Sequence, residues 1–233
     1  MSEQFVRTAL LLGDSAVQRL QKSHVIVFGV GGVGGYVVEA LVRAGIGELS
    51  IVDNDVISES NLNRQIIALH STIGCSKVDV LAERALDINP QLKIHKHQCF
   101  FLPETAAEFN FADYDYIVDC VDTVTAKISI IEHAKSVCKP VISSMGTGNK
   151  LNPMGFKVSL VEKSSVCPLA RVMRRELKAR GIKGVKCVYS EEQPANVTVG
   201  GDEHGRHAPG SVSFVPGAAG LLIASEVVTD LCK

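Results

Sequence analysis

Six residues, GVGGVG at 29–34, constrain this chain more than any other stretch. They come directly after residues 25–28, a short apolar, β-branched run of the kind that forms a parallel strand buried on both faces. Gly29, Gly31 and Gly34 fall in GxGxxG spacing, with Gly32 between them. Gly29 permits a tight turn, Gly31 lets backbone approach a phosphate, and Gly34 lets a helix pack close to the sheet. Residues 36–44 read as that helix, stopped by Gly45. Its amino terminus offers free N–H groups and a positive dipole end to an anion. Residues 49–52 read as the next strand, with Asp53 at its carboxyl end, placed to accept hydrogen bonds from ribose hydroxyls. The expectation is an α/β fold with a Rossmann-like, doubly wound, mainly parallel sheet and a nucleotide site.

The residues after Asp53 narrow the choice of nucleotide. A unit that binds NAD needs nothing particular there. Here Asp55 comes next, then SNLNRQ at 60–65 and GCSKVDVLAERALDINP at 74–90. Arg64 and Lys77 place two cations within reach of one phosphate site, which suits a triphosphate better than a pyrophosphate. Lys77 falls in the first turn of a helix predicted over 76–89. A lysine beside the positive dipole end is poorly placed unless an anion is present.

Further along, residues 92–101 read as a strand, a helix is expected from Glu104, and 116–120 as a buried strand with Asp122 just past its end. Ligands bind at the carboxyl ends of such strands, so Asp122 can contact nucleotide or metal; capping a helix over 123–137 is the bland alternative. Residues 140–144 are the next strand. MGTGNKLNP at 145–153 is either a wall of the acceptor pocket or a plain loop, and 155–161 reads as the strand that leaves the nucleotide-binding half. Residues 167–180 form an amphipathic helix with Arg171, Arg174, Arg175 and Lys178 on one face, continued in charge by Lys183 and Lys186. That face is either a polyanion site or simply solvated. A short strand at 187–190 precedes a long loop at 191–210, containing His204, Arg206 and His207, which can act as a lid. A last strand is expected at 211–216 and an apolar helix at 217–232. At the other end, Asp14 is expected to cap a short helix running to Leu20.

Net charge is −1 over 233 residues, which excludes strong global attraction to nucleic acid but leaves a local basic patch open. No signal peptide and no run of roughly 18 apolar residues is evident, so a cytoplasmic protein without a membrane partner is expected. Seven cysteines without a CxxC pair are expected to stay thiols; Cys99 and Cys120 read as small core residues, Cys167 and Cys187 as structural.

GVGGVG, Asp53, SNLNRQ, Lys77 and the DCVD of 119–122 together resemble the adenylating superfamily of ubiquitin-activating enzymes and bacterial sulfur-carrier activators, over roughly residues 1–160. The resemblance implies ATP and Mg2+. It implies nucleotide contacts from Gly29, Gly31, Gly32, Gly34, Asp53, Asp55, Asn61, Arg64, Gln65, Lys77 and Asp122, with Asp122 also on the metal. Charge neutralisation falls to Arg64, Lys77 and Asp122, joined by Arg7 of RTALLLG, which in this superfamily reaches across a homodimer. The ending, CPLARVMRRELKARGI then PGSVSFVPGAAGLLIASEVV, resembles the branch that dehydrates threonylcarbamoyladenosine in tRNA. That implies adenylation of the threonyl carboxylate, ring closure from within the same side chain, and tRNA held partly by Arg171, Arg174, Arg175 and Lys178. An activator of a ubiquitin-like or sulfur-carrier protein is the alternative, weakened by the missing CxxC pairs that bind zinc in those relatives; an NAD-binding module is a third. The expected organisation is a helical segment at 1–22, an ATP-binding core at 23–160 and a substrate and dimer region at 161–233.

Overall fold

The computed structural model describes residues 2–197 and 209–233. His204, Arg206, His207 and most of the expected lid lie outside the described residues. Two helices come first, α1 (Val6–Leu12) and α2 (Asp14–Lys22). Gly13, at φ +87°, separates them, and Asp14 is the first residue of α2 rather than its cap. Then β1 (His24–Phe28), α3 (Gly34–Ala44), β2 (Glu48–Val52), α4 (Lys77–Ile88), β3 (Lys93–His97), β4 (Tyr116–Asp119), α5 (Val124–Ser136) and β5 (Val141–Ser144) build the first half of a sheet. β6 (Phe156–Leu160), α6 (Pro168–Ala179), β7 (Lys186–Ser190) and α7 (Phe214–Leu231) complete the chain.

The seven strands lie in the order β3-β2-β1-β4-β5-β7-β6. All neighbours are parallel except β6, which runs antiparallel to β7 at the edge. β7 returns from the last third of the sequence to lie between β5 and β6, so early and late chain share one sheet. The apolar run of β1 serves both faces by simple alternation. Val25 and Val27 pack with α3, α4 and α7 on one side, while Ile26 and Phe28 pack with α5 and α6 on the other. This is why the strand is apolar throughout rather than at every second residue.

Four sequence expectations are corrected. Residues 211–216 are not a strand, because α7 begins at Phe214. Pro216 falls in its first turn, where a missing N–H costs nothing. The apolar composition of α7 serves close helix packing: a Cβ at Gly220 would sit 2.5 Å from the carbonyl oxygen of Val33, the residue that leads into α3. Contrary to the expectation of no such run, this helix is long and apolar enough to cross a membrane by length and composition; eight of its residues are buried against the fold. The strand expected over 92–101 ends at His97, and the helix expected from Glu104 is two short 3-10 turns, Ala106–Glu108 and Phe111–Asp113. Both of these deviations have one cause. Phe101, Phe109 and Phe111 turn inward onto Phe28, with ring centroids 4.7, 5.5 and 5.8 Å from it. Burying three rings outweighs the regular hydrogen bonding that a strand or helix would offer there.

Candidate active site

β1 feeds outward to α3 and β4 to α5, so the sheet order reverses between these neighbours. A cavity of about 950 Å³ opens at their carboxyl ends. That is the crevice in which open α/β sheets bind ligands. The glycine loop forms its floor. Gly29 adopts φ +81°, and a Cβ there would lie 2.9 Å from the Cys120 carbonyl oxygen; a Cβ on Gly34 would overlap the Gly29 carbonyl oxygen at 1.8 Å. Gly34 therefore does not line the cavity but seats α3 beneath it. Gly31 and Gly32 do line it.

The cations expected to face phosphate are here. Lys77 is 5% exposed, in the first turn of α4, with Nζ 2.6 Å from Asp55 Oδ2 and 3.9 Å from Asp53 Oδ1. Arg64 lines the cavity half-buried, and its Nη1 donates to the Ser60 carbonyl (2.8 Å) and to Asn63 Oδ1 (2.9 Å). Its Nε and Nη2 have no hydrogen-bond partner among the described residues. Asn61 accepts from the Ser58 N–H through Oδ1 (3.2 Å), which orients its amide donor. Asn63 donates to the Ser211 carbonyl (2.9 Å), tying this loop to the approach to α7.

Asp53 is already engaged: Oδ2 accepts from Val30 N–H (2.8 Å) and Oδ1 from Asp55 N–H (2.9 Å). Each oxygen retains one acceptor site for a sugar hydroxyl. Gln65 is buried, and its Oε1 has no partner among the described residues. A buried orphan acceptor in the wall of a polar cavity fits a hydrogen-bonding ligand there. Asp122 is exposed at the rim, beside Thr123, and it is Thr123 that precedes α5; the capping alternative thus fails. An exposed carboxylate at the rim of a nucleotide-sized cavity matches the oxygen donors that Mg2+ takes.

Two thiols line the cavity. Burial, joined by Asp119, pushes the Cys120 thiol well above its ordinary value, and burial does the same more mildly at Cys99. Cys187 is pushed up to about 12, chiefly by burial. Thiols held protonated are not nucleophiles, which agrees with the structural reading of Cys187. Cys99 and Cys120, expected as small core residues, instead sit half-buried in the cavity wall.

Other expected residues lie elsewhere. Arg7 is exposed on α1 and is not among the residues lining the cavity. The four-cation face of α6 is also corrected. Arg174 turns inward and donates to the Ser164 carbonyl (2.7 Å) and hydroxyl (2.8 Å). Arg175 pairs with Glu176 at 2.8 Å. Of these four, Arg171 and Lys178 keep cations with neither an ion pair nor a side-chain hydrogen bond among the described residues. Lys186 does not extend the patch either; it is held by Glu226 (2.9 Å) and Asp230 (2.5 Å) of α7.

Sequence reasoning missed a buried network under the cavity. Lys127 and Asp119 are fully buried, with Nζ 3.0 Å from Asp119 Oδ2 and 2.7 Å from the Ser144 carbonyl, while the Ser143 hydroxyl donates to the same Asp119 oxygen at 2.5 Å. The signal was present. Lys127 shares the helical stripe of Ile130, Ile131 and Ala134, where a lysine requires a buried partner. A second group of potential metal ligands, His24, Glu48 and His95, sits at the opposite, amino-terminal edge of the sheet and is no part of this site.

The fold and the cavity define a Rossmann-like nucleotide-binding protein whose phosphate end is cationic. The chain belongs to the ThiF family, whose model matches residues 5–233. It is 38% identical to the tRNA threonylcarbamoyladenosine dehydratase of Bacillus subtilis, covering 100% of this chain and 96% of that protein. It is 34% identical to the Escherichia coli protein of the same name, covering 82% of this chain and 74% of the relative. A crystal structure of the Escherichia coli tRNA N6-threonylcarbamoyladenosine dehydratase in complex with ATP superposes with a TM-score of 0.90 at 30% identity, over 98% of this chain and 93% of the other.

Proposed function

We propose that this chain adenylates the threonyl carboxylate of threonylcarbamoyladenosine in tRNA, so that the side chain cyclises with net loss of water. The observation that carries the reading is the likeness over nearly the whole chain to an ATP-bound dehydratase, with Lys77, Arg64 and the glycine loop meeting in one cavity. A carboxylate oxygen attacks the α-phosphorus of ATP, the bond to the β-phosphate oxygen breaks, and pyrophosphate leaves. An atom of the same side chain then attacks the acyl carbon and AMP departs with the carboxylate oxygen. The nucleophile is intramolecular, so the protein's task is alignment and charge neutralisation.

The roles derive from position. The N–H groups at the start of α3 and the side chains of Arg64, Lys77 and Asn61 face phosphate. Asp53 takes the ribose and Gln65 supplies a further acceptor. Asp55 holds Lys77 in place. Mg2+ at Asp122 would offset charge on the leaving pyrophosphate. A homodimer with Arg7 completing the neighbour's site is part of the proposal. Its support is local: Leu10 and Leu11, 81% and 88% exposed on α1 near Arg7, are apolar surface that a second copy would cover. The tRNA backbone falls to Arg171 and Lys178, and a tRNA substrate sets the reaction in the cytoplasm. The test is AMP formation from ATP with purified protein: AMP should accumulate only when threonylcarbamoylated tRNA is present, and accumulation with unmodified tRNA alone would overturn the reading.

A further inference from the structure

A second cavity, of about 320 Å³, adjoins the first, and Gly146, Gly148, Leu169 and Pro209 line both. Its one charged lining residue among those described is Lys150. Lys150 is 2% exposed. Its ammonium makes a single contact among the described residues, a long one of 3.3 Å to the Ser190 carbonyl oxygen. Glu192, the carboxylate whose charge reaches Lys150, makes no ion pair with it and accepts instead from the N–H groups of Leu151 (2.8 Å) and Asn152 (3.0 Å).

A buried ammonium with three donors and one weak acceptor is costly, and packing of the apolar stem does not require the charge. The backbone around it is built to hold it there. Asn149 adopts φ +57° and is clamped by hydrogen bonds to Gly210 and Ala195: its N–H donates to the Gly210 carbonyl (2.8 Å), its Oδ1 accepts from Gly210 N–H (2.6 Å), and its carbonyl accepts from Ala195 N–H (2.8 Å). Val166, a β-branched residue immediately before the lining residue Cys167, is held at φ +58°. Non-glycine residues in this region persist where the surroundings over-determine them, and they gather at ligand sites. Burial pushes the Lys150 ammonium below the ordinary lysine value, against the opposing pull of Cys167 and Glu192. An arriving anion would relieve that strain.

We infer that Lys150 is the subsite for the substrate's carboxylate: it receives the carboxylate in the second cavity and presents it to the nucleotide cavity through the shared Gly146–Gly148 wall. The inference rests on the proposed adenylation. In the resting protein the ammonium lacks a counter-charge among the described lining residues. With substrate bound, one charge-assisted contact neutralises both partners and fixes one carboxylate oxygen, leaving the other free to attack phosphorus. The glycines at 146 and 148 suit this passage, since side chains there would narrow the junction.

The test compares wild type with Lys150→Met and Lys150→Arg in three measurements: steady-state kinetics with threonylcarbamoylated tRNA at saturating ATP, ATP affinity by equilibrium dialysis, and thermal midpoint. Lys150→Met should lower kcat/KM for the tRNA at least about tenfold, mainly through KM, as expected for loss of one charge-assisted contact. ATP affinity should stay within about twofold, and the thermal midpoint should hold or rise because an unpaired buried charge has been removed. Lys150→Arg should recover part of the loss. A kcat/KM within about twofold of wild type overturns the inference, as does a loss matched by an equal loss of ATP affinity or by a lowered thermal midpoint. If the wild type adenylates a Gly-Gly-tailed carrier protein instead of tRNA, the proposed function fails while the Lys150 expectation stands. The same comparison, made on that carrier's carboxylate, then decides it.

Discussion

Lys127 Nζ lies 3.0 Å from Asp119 Oδ2, with both side chains wholly buried beneath the nucleotide cavity. The pair joins α5 to the carboxyl end of β4, and the Ser143 hydroxyl and Ser144 carbonyl extend it to β5. It therefore fixes the three elements that set the crevice. Removing one partner leaves the other charge unpaired in the core, which costs on the order of 3–5 kcal/mol. Lys127→Met should accordingly lower the unfolding free energy by about that much, read from the urea midpoint at unchanged m. Replacing both Lys127 and Asp119 with apolar residues should restore much of the loss. A single variant as stable as wild type would mean the pair does not hold the crevice.

The phosphate cations predict a different pattern. Asp55, at 57% side-chain exposure, can rehydrate when Lys77 is removed, so Lys77→Ala should fold normally. The same holds for half-buried Arg64. Each variant should lose about 1.5–3 kcal/mol of ATP binding, the size of one charge-assisted contact. Mixed with Arg7→Ala protein, Lys77→Ala protein should form heterodimers in which one of the two sites is intact, and activity should return. Failure to recover activity despite subunit exchange would mean that Arg7 acts within its own chain or not at all.

On α6 the cations should separate by environment. Arg171→Glu with Lys178→Glu should weaken tRNA binding and flatten its dependence on salt, because fewer counterions are released. Arg174→Ala should instead cost stability, since its guanidinium is committed to Ser164. If Arg174→Ala alone reduces the salt slope as much as the double variant does, the assignment of these side chains is wrong.

A fourth expectation concerns acid. Burial alone would raise the Asp230 carboxyl, but hydrogen bonds from Lys186, Lys233 and Tyr116 outweigh it and hold the group at about 2. A depressed folded-state value contributes stability above the ordinary carboxylate range near 3.9, lost as pH falls toward 2. The contribution is on the order of 2 kcal/mol. Asp230→Asn should lose it at neutral pH and show a shallower decline between about pH 5 and pH 2. An identical acid profile would show that α7 is not anchored to β4 and β7 through this group.

The sequence was most legible where periodicity and glycine chemistry act locally. GVGGVG, the strand before it and the acid after it defined the nucleotide half, because Gly29 and Gly34 are demanded by close backbone contacts at the end of β1 and β4. Legibility fell where distant residues decide. Residues 101–111 depart from regular structure because three phenylalanines reach Phe28, and no local pattern encodes that target. Arg174 and Arg175 share a helical face by spacing, but Ser164 and Glu176 divide them in space. Lys150 sits in a stretch that reads as a pocket wall or a plain loop, because burial of a lysine depends on β7 and on the approach to α7, far away in the chain.

The central claim is the identity of the acceptor carboxylate, and mass spectrometry of tRNA nucleosides tests it most directly. Threonylcarbamoylated tRNA incubated with the wild-type protein, ATP and Mg2+ should yield a modified adenosine lighter by one water, with one AMP formed per ring closed. Lys77→Ala protein should leave the nucleoside unchanged. An unaltered nucleoside in the wild-type reaction, under conditions where the same protein forms AMP with a Gly-Gly-tailed carrier, would contradict the account.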